Sequence, residues 1–274
     1  MRHLSKLVKL WAFLGIGITL GTVAFIFLFI FYEGASVISP SFILESPSGA
    51  ILGTEGGIFP AIIGSLFFTG TAVAMSAPAA VAAAAYITFF CKNDRMKVVL
   101  HSVINTISGI PSIVLGLFAY SFLVKSLGLG RCILSSGTAL AVMILPFIEI
   151  RAEKAFGELS EEMIRSSDAL GCSRTYMFLK IALPSCKREL ISAVILGGCY
   201  AMGATPPLIF TGAVAYASVP ESIFEPAMAL PMHLYLLVAQ GATSMDTAYG
   251  TAFVMLALIL ILTIIARALG GFRK

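Results

Sequence analysis

The sequence predicts an all-α integral membrane protein with six transmembrane helices and both termini on the cytoplasmic side. Hydrophobic residues make up 58% of the 274 residues and charged residues only 12%, and the mean hydropathy is +0.97. Soluble domains carry roughly 25% charged residues, so a soluble fold of this composition could not cover its surface. The few charges are also clustered, which leaves long uncharged runs between them. Together these observations exclude the soluble globular and disordered classes.

Six runs without a charged residue are long enough to cross a bilayer. They cover residues 10–32, 56–91, 98–124, 132–148, 190–220 and 247–266. A spanning helix needs about 20 mostly apolar residues, and the runs lack the alternation of a transmembrane β-barrel. We therefore predict a single transmembrane domain over residues 1–274, with helices at about 10–32, 60–90, 98–124, 132–150, 190–212 and 247–269.

Local sequence supports these helices in turn. The run 10–32 exceeds the apolar core of a signal peptide, roughly 7–15 residues, so it predicts an uncleaved first helix. Pro60 suits the first turn of helix two, and the small residues of 77–85 allow close helix packing in lipid. Pro111 predicts a kink in helix three. Helix four, at 132–150, is the shortest.

A further uncharged run, 226–245, raises the question of whether the chain has six or seven spans. Pro231 and His233 suit an interfacial or re-entrant segment better than a lipid-facing span. With six spans, 16 of the 18 basic residues fall on the cytoplasmic side, and only Lys125 and Arg131 fall outside. A seventh span would move the basic C-terminus outside, against the positive-inside rule. The net charge of +4 thus reflects topology rather than nucleic-acid binding.

The cytoplasmic segment 151–189 is longer than the other inner loops and holds seven basic and six acidic residues. This composition predicts an ordered docking surface for a soluble partner. The alternative is a solvated helical hairpin that binds nothing.

The motif Asp168-Ala169-Leu170-Gly171 is followed by nine residues and then by Ile181-Ala182-Leu183-Pro184. Gly171 is expected to end a short helix at the C′ position, and Pro184 to start or redirect the next one. This spacing resembles the cytoplasmic coupling loop of ABC importer permeases. The resemblance assigns coupling to an ATPase to Arg165, Asp168, Ala169, Leu170, Gly171, Ile181, Leu183 and Pro184.

The resemblance covers nearly the whole chain and is closest to the phosphate-specific branch, in particular its A-type permease subunit. Similar segments occur at 55–64, 110–117, 203–208, 229–231 and 234–235. The resemblance implies the type I ABC importer permease fold and transport of inorganic phosphate. It also implies a location in a bacterial or archaeal plasma (inner) membrane.

The same resemblance implies the partners. These are a second permease subunit (identical or different), two cytosolic subunits that bind ATP and Mg, and an extracytoplasmic solute-binding protein, all within membrane lipid. The chain itself has no Gly-x-x-x-x-Gly-Lys-Ser/Thr phosphate loop, so ATP hydrolysis must occur elsewhere. We expect a non-catalytic subunit that binds no cofactor, metal or nucleic acid. The five cysteines show no paired spacing.

The candidate translocation path follows from hydroxyl groups in apolar spans and from the matched family segments. Its residues are Ser112, Tyr200, Gly203, Thr205 and Pro207. Each hydroxyl could instead form a hydrogen bond between two helices and so hold two spans together.

Three positions depart from the family pattern. Arg165 stands where the coupling loop has a glutamate, and Tyr200 and Ala204 stand where helix five has an arginine and a glutamate. Arginine is the natural bidentate partner of an oxyanion. Two alternatives therefore stay open: a permease for sulfate, molybdate or tungstate, and a structural or assembly subunit that does not transport.

Other classes lack their expected residues. An ion-coupled transporter should carry ionisable groups near the bilayer midplane, whereas Glu149 and His101 lie near span ends. An intramembrane enzyme should show a motif such as His-Glu-x-x-His or Gly-x-Ser-x-Gly, and neither occurs.

Overall fold

The computed structural model describes the backbone of residues 2–270 and the side chains of 9–160 and 162–270. Of the basic residues assigned to the cytoplasm, Arg273 and Lys274 lie outside this range, as do the side chains of Arg2 and Lys6. The helices are α1 Arg2–Ala35, α2 Pro40–Leu44, α3 Phe59–Ala85, α4 Asp94–Gly109, α5 Ser112–Ala119, α6 Ile133–Gly157, α7 Glu161–Ala169, α8 Arg174–Met177, α9 Leu183–Met202, α10 Pro206–Thr211, α11 Leu230–Gln240 and α12 Met245–Gly270. Wider π-type turns extend three of them, at Tyr86–Phe90, Tyr120–Ser126 and Phe178–Ala182, and a 3-10 turn at Ala242–Ser244 precedes α12. A two-residue hairpin pairs β1 (Pro47–Ser48) with β2 (Glu55–Gly56).

Four helices of the described residues are long and apolar enough to cross a membrane, namely α1, α3, α6 and α12. The pair α4–α5 becomes a fifth if its two bent parts form one span. The sixth predicted span corresponds to α9 and α10, but α9 carries Lys187, Arg188 and Glu189 in its second turn. The structure therefore supports a multi-pass membrane protein with four to five spans by length and composition, and the count of six stays a prediction.

Helix three is not one kinked helix. The axes of α4 and α5 meet at 95°. Ile110 (φ −74°, ψ 126°) and Pro111 (φ −56°, ψ 133°) are both extended. Proline has no N–H to continue the ladder and disfavours helical backbone in the residue before it. Two consecutive non-helical residues thus produce a sharp bend where a lone proline inside a helix would produce a kink.

Helix five is also interrupted. It begins at Leu183, before the predicted start of 190, and α9 ends at Met202. The chain then passes through 203–205 before α10 begins with Pro206. Proline suits the first turn of a helix and cannot continue the helix before it. The predicted single span 190–212 is therefore two helical pieces separated by a short non-helical stretch.

The core lies along the contact of α3 with α6, which is the most extensive helix contact in the described chain. A buried apolar cluster centred on Phe68, Leu140 and Ile144 fills this contact and reaches α10. Gly137 of α6 lies so close to α3 that a Cβ there would stand 2.5 Å from Cγ2 of Thr71. In lipid, packing of this kind drives helix association, because the hydrophobic effect between helices is absent.

The segment after α1, which holds α2 and the β-hairpin, packs with α11 into a cap. This cap lies at the end of the bundle opposite to α7 and α8. Phe42 of α2, Leu52 and Leu237 of α11 pack in one buried cluster. The Ser65 hydroxyl accepts a hydrogen bond from the backbone N–H of Leu230 at 2.7 Å, which fixes the start of α11 against α3. At 11 residues, α11 is too short to span the hydrocarbon, which takes about 20.

Replacing Gly137 with alanine is expected to lower the free energy of unfolding by about 1–3 kcal/mol, because the new methyl group overpacks the contact with Thr71. The matched control is Gly70→Ala on α3, where a Cβ meets nothing within 4 Å. That change should be neutral or stabilising by up to about 1 kcal/mol, from helix propensity alone. Thermal unfolding of both variants in one detergent measures the difference. Equal stabilities would contradict close packing at Gly137.

Candidate functional site

The segment that joins α6 to α9, residues 158–182, forms a compact helical turn that we call the elbow. It is shorter than the predicted coupling segment 151–189. The reason is that α6 continues past Ile150 to Gly157 and α9 begins at Leu183. Residues 151–157 and 183–189 thus belong to the ends of long helices, and the elbow proper holds α7 and α8.

Local capping explains why the elbow folds. The hydroxyl of Ser160 accepts from the N–H of Met163 at 3.3 Å and caps α7. The hydroxyl of Ser173 likewise accepts from the N–H of Tyr176 at 3.2 Å and caps α8. Serine at the N-cap supplies one of the acceptors that the first turn of a helix lacks. Both helices are short, so these caps and the tertiary contacts below stabilise them.

Gly171 ends α7, as the sequence predicts. Its φ of +71° lies in the left-handed region, which glycine adopts without a Cβ penalty. The N–H of Gly171 donates to the carbonyl of Asp168 at 3.0 Å, and the N–H of Cys172 donates to that of Ser167 at 3.1 Å. This pair of bonds is the Schellman arrangement. It turns the chain sharply between α7 and α8.

An aromatic cluster holds the elbow to the ends of two spans. The ring of Phe178 lies 5.8 Å from that of Phe156 in α6 and 5.9 Å from that of Phe89 beyond α3. Phe89 and Phe156 are themselves 5.4 Å apart in an edge-to-face arrangement. Ile181 and Leu183 pack against the same buried cluster. Such aromatic pairs contribute roughly 0.5–1.5 kcal/mol each beyond the area that they bury.

A charged hydrogen bond adds to this attachment. Nη1 of Arg174 donates to the carbonyl oxygen of Phe89 at 2.7 Å. Phe89 lies in the last turn before the chain leaves α3, where carbonyl groups lack helical partners. A guanidinium in this position pairs with the negative end of the helix dipole. The elbow is therefore attached to the ends of both α3 and α6.

The tip of the elbow carries an apolar side chain that touches little. Leu170 is 83% exposed and directly precedes the turn at Gly171. Arg165, Asp168 and Ala169 are also exposed on α7. The predicted coupling residues thus fall into two groups. In the first group, Ile181 and Leu183 pack against the bundle, and Pro184 follows as the second residue of α9. In the second group, the predicted residues of α7 and of the turn at 170–171 are exposed.

The candidate path residues lie on α5, α9 and α10. A Cβ on Gly116 of α5 would stand 2.9 Å from Cα of Pro207, so α5 and α10 run in close contact. Ile110 before α5 and Ala204 before α10 pack against the same core cluster. The structure therefore brings the two non-helical breaks to one region, with Ser112, Gly203 and Thr205 at their edges. Pro207 is buried in this contact.

Tyr200 lies in the last turn of α9, on the face that meets α6. The ring of Tyr200 stacks on that of Phe147 at a centroid distance of 5.9 Å. The guanidinium of Arg151 also lies over the Phe147 ring, at 4.5 Å from its centroid. Tyr200 is 52% exposed. Tyr200, which stands where the family has an arginine, is thus part of an aromatic stack. The positive charge of Arg151 lies about one helical turn beyond Phe147 along α6.

Sequence reasoning missed the attachment of the elbow. Phe89, Phe156 and Phe178 are far apart in the chain, and no spacing in the sequence links them. It also missed a buried polar pair, in which Oγ1 of Thr211 donates to Oγ of Ser136 at 2.9 Å. Neither contact follows from a motif. Among the described residues, no three His, Cys, Asp or Glu side chains gather as metal ligands do.

Comparison with known proteins decides the family. A family described as binding-protein-dependent transport system inner membrane component matches residues 76–271. The chain belongs to this family. It is a permease of an ABC importer, as the coupling motif indicated, and the matched region contains the breaks, the elbow and α12.

Two relatives and one solved structure agree with this assignment. A probable phosphate transport system permease protein PstA of Methanocaldococcus jannaschii is 31% identical over 80% of this chain and 78% of its own length. The PstA protein of Haemophilus influenzae is 25% identical over 80% and 78% respectively. An inward-facing structure of the MetNI methionine ABC transporter is 20% identical, covers 78% of this chain and 94% of its own, and has a TM-score of 0.57. At that identity the structure supports the fold alone.

Replacing Phe178 with alanine is expected to loosen the elbow, because contacts with Phe89 and Phe156 are lost. Local opening should become easier by about 2 kcal/mol, in line with the loss of a largely buried aromatic ring. Hydrogen exchange of residues 174–182 measures the effect, and exchange in α12 is the internal reference. Tyr176→Ala removes an exposed ring from the same segment and should leave exchange unchanged. Equal exchange in both variants would mean that the cluster does not hold the elbow.

Proposed function

We propose that this permease imports inorganic phosphate as one half of a translocation path driven by cytosolic ATPase subunits. In this proposal two ATP-binding subunits, which carry ATP and Mg, dock on the elbow. A second permease, identical or different, completes the path, and an extracytoplasmic solute-binding protein delivers the anion. The permease itself hydrolyses nothing.

The arrangement of the elbow carries the coupling part of the proposal. Its inner side is held to α3 and α6 by the Phe178 cluster and by Arg174. Its outer side presents Leu170, which is 83% exposed, on a turn made rigid by the Schellman bonds at Gly171. An exposed leucine on a rigid turn suits insertion into an apolar cleft of a partner, where buried anchors contribute most of the binding energy. Closure of the ATPase pair would then shift the equilibrium between two helix arrangements, provided that it binds them unequally.

The proposed topology has six spans with both termini in the cytoplasm of a bacterial or archaeal cell, in the plasma (inner) membrane. The elbow, with its seven basic residues nearby in 151–189, then lies on the cytoplasmic side, where the positive-inside rule expects it. In this arrangement α9 and α10 together form the fifth span, and α4 with α5 forms the third.

Phosphate is the proposed substrate because the two named PstA relatives cover most of this chain. The alternative substrate is another oxyanion, such as sulfate, molybdate or tungstate, because one position departs from the phosphate-type pattern. Tyr200 places an aromatic ring, stacked on Phe147, where the family pattern has an arginine. A path without that guanidinium binds an oxyanion less tightly at this level, unless the second permease supplies the charge.

Reconstitution tests both parts of the proposal. The chain is co-purified with its candidate partner permease, ATPase and binding protein and placed in liposomes that contain ATP. Uptake of radiolabelled phosphate, sulfate, molybdate and tungstate is then compared. Uptake of phosphate alone that requires ATP and binding protein supports the proposal. ATP-driven uptake of another anion instead moves the assignment to that anion.

Leu170→Glu is expected to reduce ATPase binding by at least about tenfold, since a charge replaces an apolar anchor and tenfold corresponds to 1.4 kcal/mol. Uptake and stimulated ATPase activity should fall together. Leu170→Met keeps an apolar side chain of similar size and should keep most of both activities. Gly171→Pro removes the N–H that bonds to Asp168 and forbids φ of +71°, so it should abolish coupling.

The controls separate the possible roles. Normal ATPase assembly in Leu170→Glu would show that the elbow tip is not the docking point. A wild-type complex that assembles but moves no anion would favour a structural or assembly subunit over a transporter.

A further inference from the structure

A cavity of about 340 Å³ opens at the end of the bundle that carries the elbow. We call it the basal cavity. Arg151 and Lys154 of α6, Glu189 and Ser192 of α9 and Arg267 of α12 lie in its walls. Pockets for small ligands range over roughly 300–1,000 Å³. This cavity therefore fits a ligand of few heavy atoms or the headgroup of a larger one.

Three cationic side chains from two helices converge on the cavity. Nζ of Lys154 is 3.8 Å from Oε1 of Glu158 one turn further along α6, and both side chains of this pair are well exposed. Such a pair contributes little and opens easily. Within the described part of the chain, Arg151 and Arg267 form no ion pair with a carboxylate. The cavity thus contains two guanidinium groups without a direct ion pair, together with the carboxylates of Glu158 and Glu189.

The Phe147 ring orients one of these guanidinium groups. The guanidinium carbon of Arg151 lies over the ring at 4.5 Å from its centroid, a cation–π contact that restricts where the group can move. This contact uses no carbonyl or carboxylate acceptor, so N–H groups of the guanidinium stay available for hydrogen bonds. A planar donor held in this way loses less entropy when it binds an oxyanion than a mobile lysine does.

Glu189 restricts which anion the cavity can hold. Its carboxylate lies in the wall, and its Oε2 is enclosed with no hydrogen-bond partner among the described residues. A carboxylate only accepts hydrogen bonds, so it repels an oxyanion that has no proton to donate. A ligand that suits both the guanidinium pair and Glu189 must carry negative oxygens together with an O–H group. A hydrogen phosphate group has both, whereas sulfate at neutral pH has no O–H.

We propose that the basal cavity binds a hydrogen phosphate group. The guanidinium groups of Arg151 and Arg267 contact its negative oxygens, and its O–H donates to the carboxylate of Glu189. The group comes either from free inorganic phosphate or from the headgroup of phosphatidic acid, because basic pockets between membrane helices also hold lipid headgroups. As a site for the imported anion it rests on the proposed function, but as a binding site it does not.

Anion binding to the full chain tests the proposal without transport. The chain is placed in nanodiscs of phosphatidylcholine and dialysed against radiolabelled phosphate or sulfate. Phosphate should bind with one saturable site per chain, at least about tenfold tighter than sulfate, since one charge-assisted hydrogen bond accounts for this difference. Arg267→Gln should weaken phosphate binding by at least about tenfold. Glu189→Gln should remove the preference over sulfate, because an amide can donate to either anion.

The matched control is Arg188→Gln. Arg188 precedes Glu189 in the sequence, is exposed and does not line the cavity, so its loss changes net charge equally without touching the site. Phosphate affinity should stay at the wild-type value. A loss equal to that of Arg267→Gln would mean that general charge, rather than the basal cavity, attracts the anion, and would overturn the proposal.

A lipid arm separates the two sources. Nanodiscs that contain phosphatidic acid are compared with nanodiscs that contain phosphatidylglycerol, a phosphodiester without a P–OH group, and bound lipid is counted by native mass spectrometry. Retention of phosphatidic acid that depends on Arg267 and blocks inorganic phosphate would identify the lipid as the source. Retention of neither, with phosphate bound, would identify the free anion.

The proposal fails if neither phosphate nor phosphatidic acid binds in a way that Arg267→Gln weakens, or if sulfate binds wild type as tightly as phosphate does. Arg267→Lys keeps the charge without the bidentate geometry and guards against a folding defect. It should bind with intermediate affinity, and thermal unfolding of each variant is measured alongside. Uptake is measured separately. Phosphate binding without ATP-driven uptake would support the binding site and contradict the proposed function. Uptake without binding at the basal cavity would support the proposed function and contradict the binding site.

Discussion

The interior of a bilayer offers no hydrogen-bond partner to backbone N–H and C=O groups, so non-helical backbone is tolerated there only inside the protein or beside water. This constraint explains the long helices α1, α3, α6 and α12. It also gives meaning to the two places where helices break, at 110–111 and at 203–205. Both breaks pack against one core cluster, and α5 meets α10 at Gly116 and Pro207. The irregular backbone of both breaks is thus gathered against the same part of the core.

The elbow is subject to a different constraint, because it lies beyond the ends of the long helices in a segment rich in charged residues. Its helices α7 and α8 are too short to be stable by themselves. Serine caps, the turn at Gly171 and the Phe89–Phe156–Phe178 cluster stabilise them together. The same contacts make the elbow an extension of α3 and α6. In the proposed mechanism, a push at its tip reaches the core through packed side chains, and packed interfaces tend to switch between discrete arrangements rather than to bend.

Charge is distributed unevenly along the candidate route of an anion. Around Tyr200 the α6–α9 contact presents aromatic rings. Towards the elbow it presents Arg151 and then the basal cavity with Arg267. At the opposite end of the bundle, Arg131 donates two hydrogen bonds to carbonyl groups of Ile209 and Ala213 at the end of α10. Its guanidinium thus has backbone partners within the fold, whereas Arg151 of the basal cavity contacts the Phe147 ring.

The sequence by itself determined the class of protein, the long apolar helices and the coupling motif. Each of these depends on composition or on short-range spacing. Gly171 is an example, because a left-handed turn after a helix depends on a residue and its immediate neighbours. The extent of the 95° bend at Pro111, the attachment of the elbow by Phe178 and the convergence of Arg151 with Arg267 were decided only by the tertiary structure. They depend on which helix faces lie against each other, and residues far apart in the chain acquire their distances only when α3, α6, α9 and α12 pack.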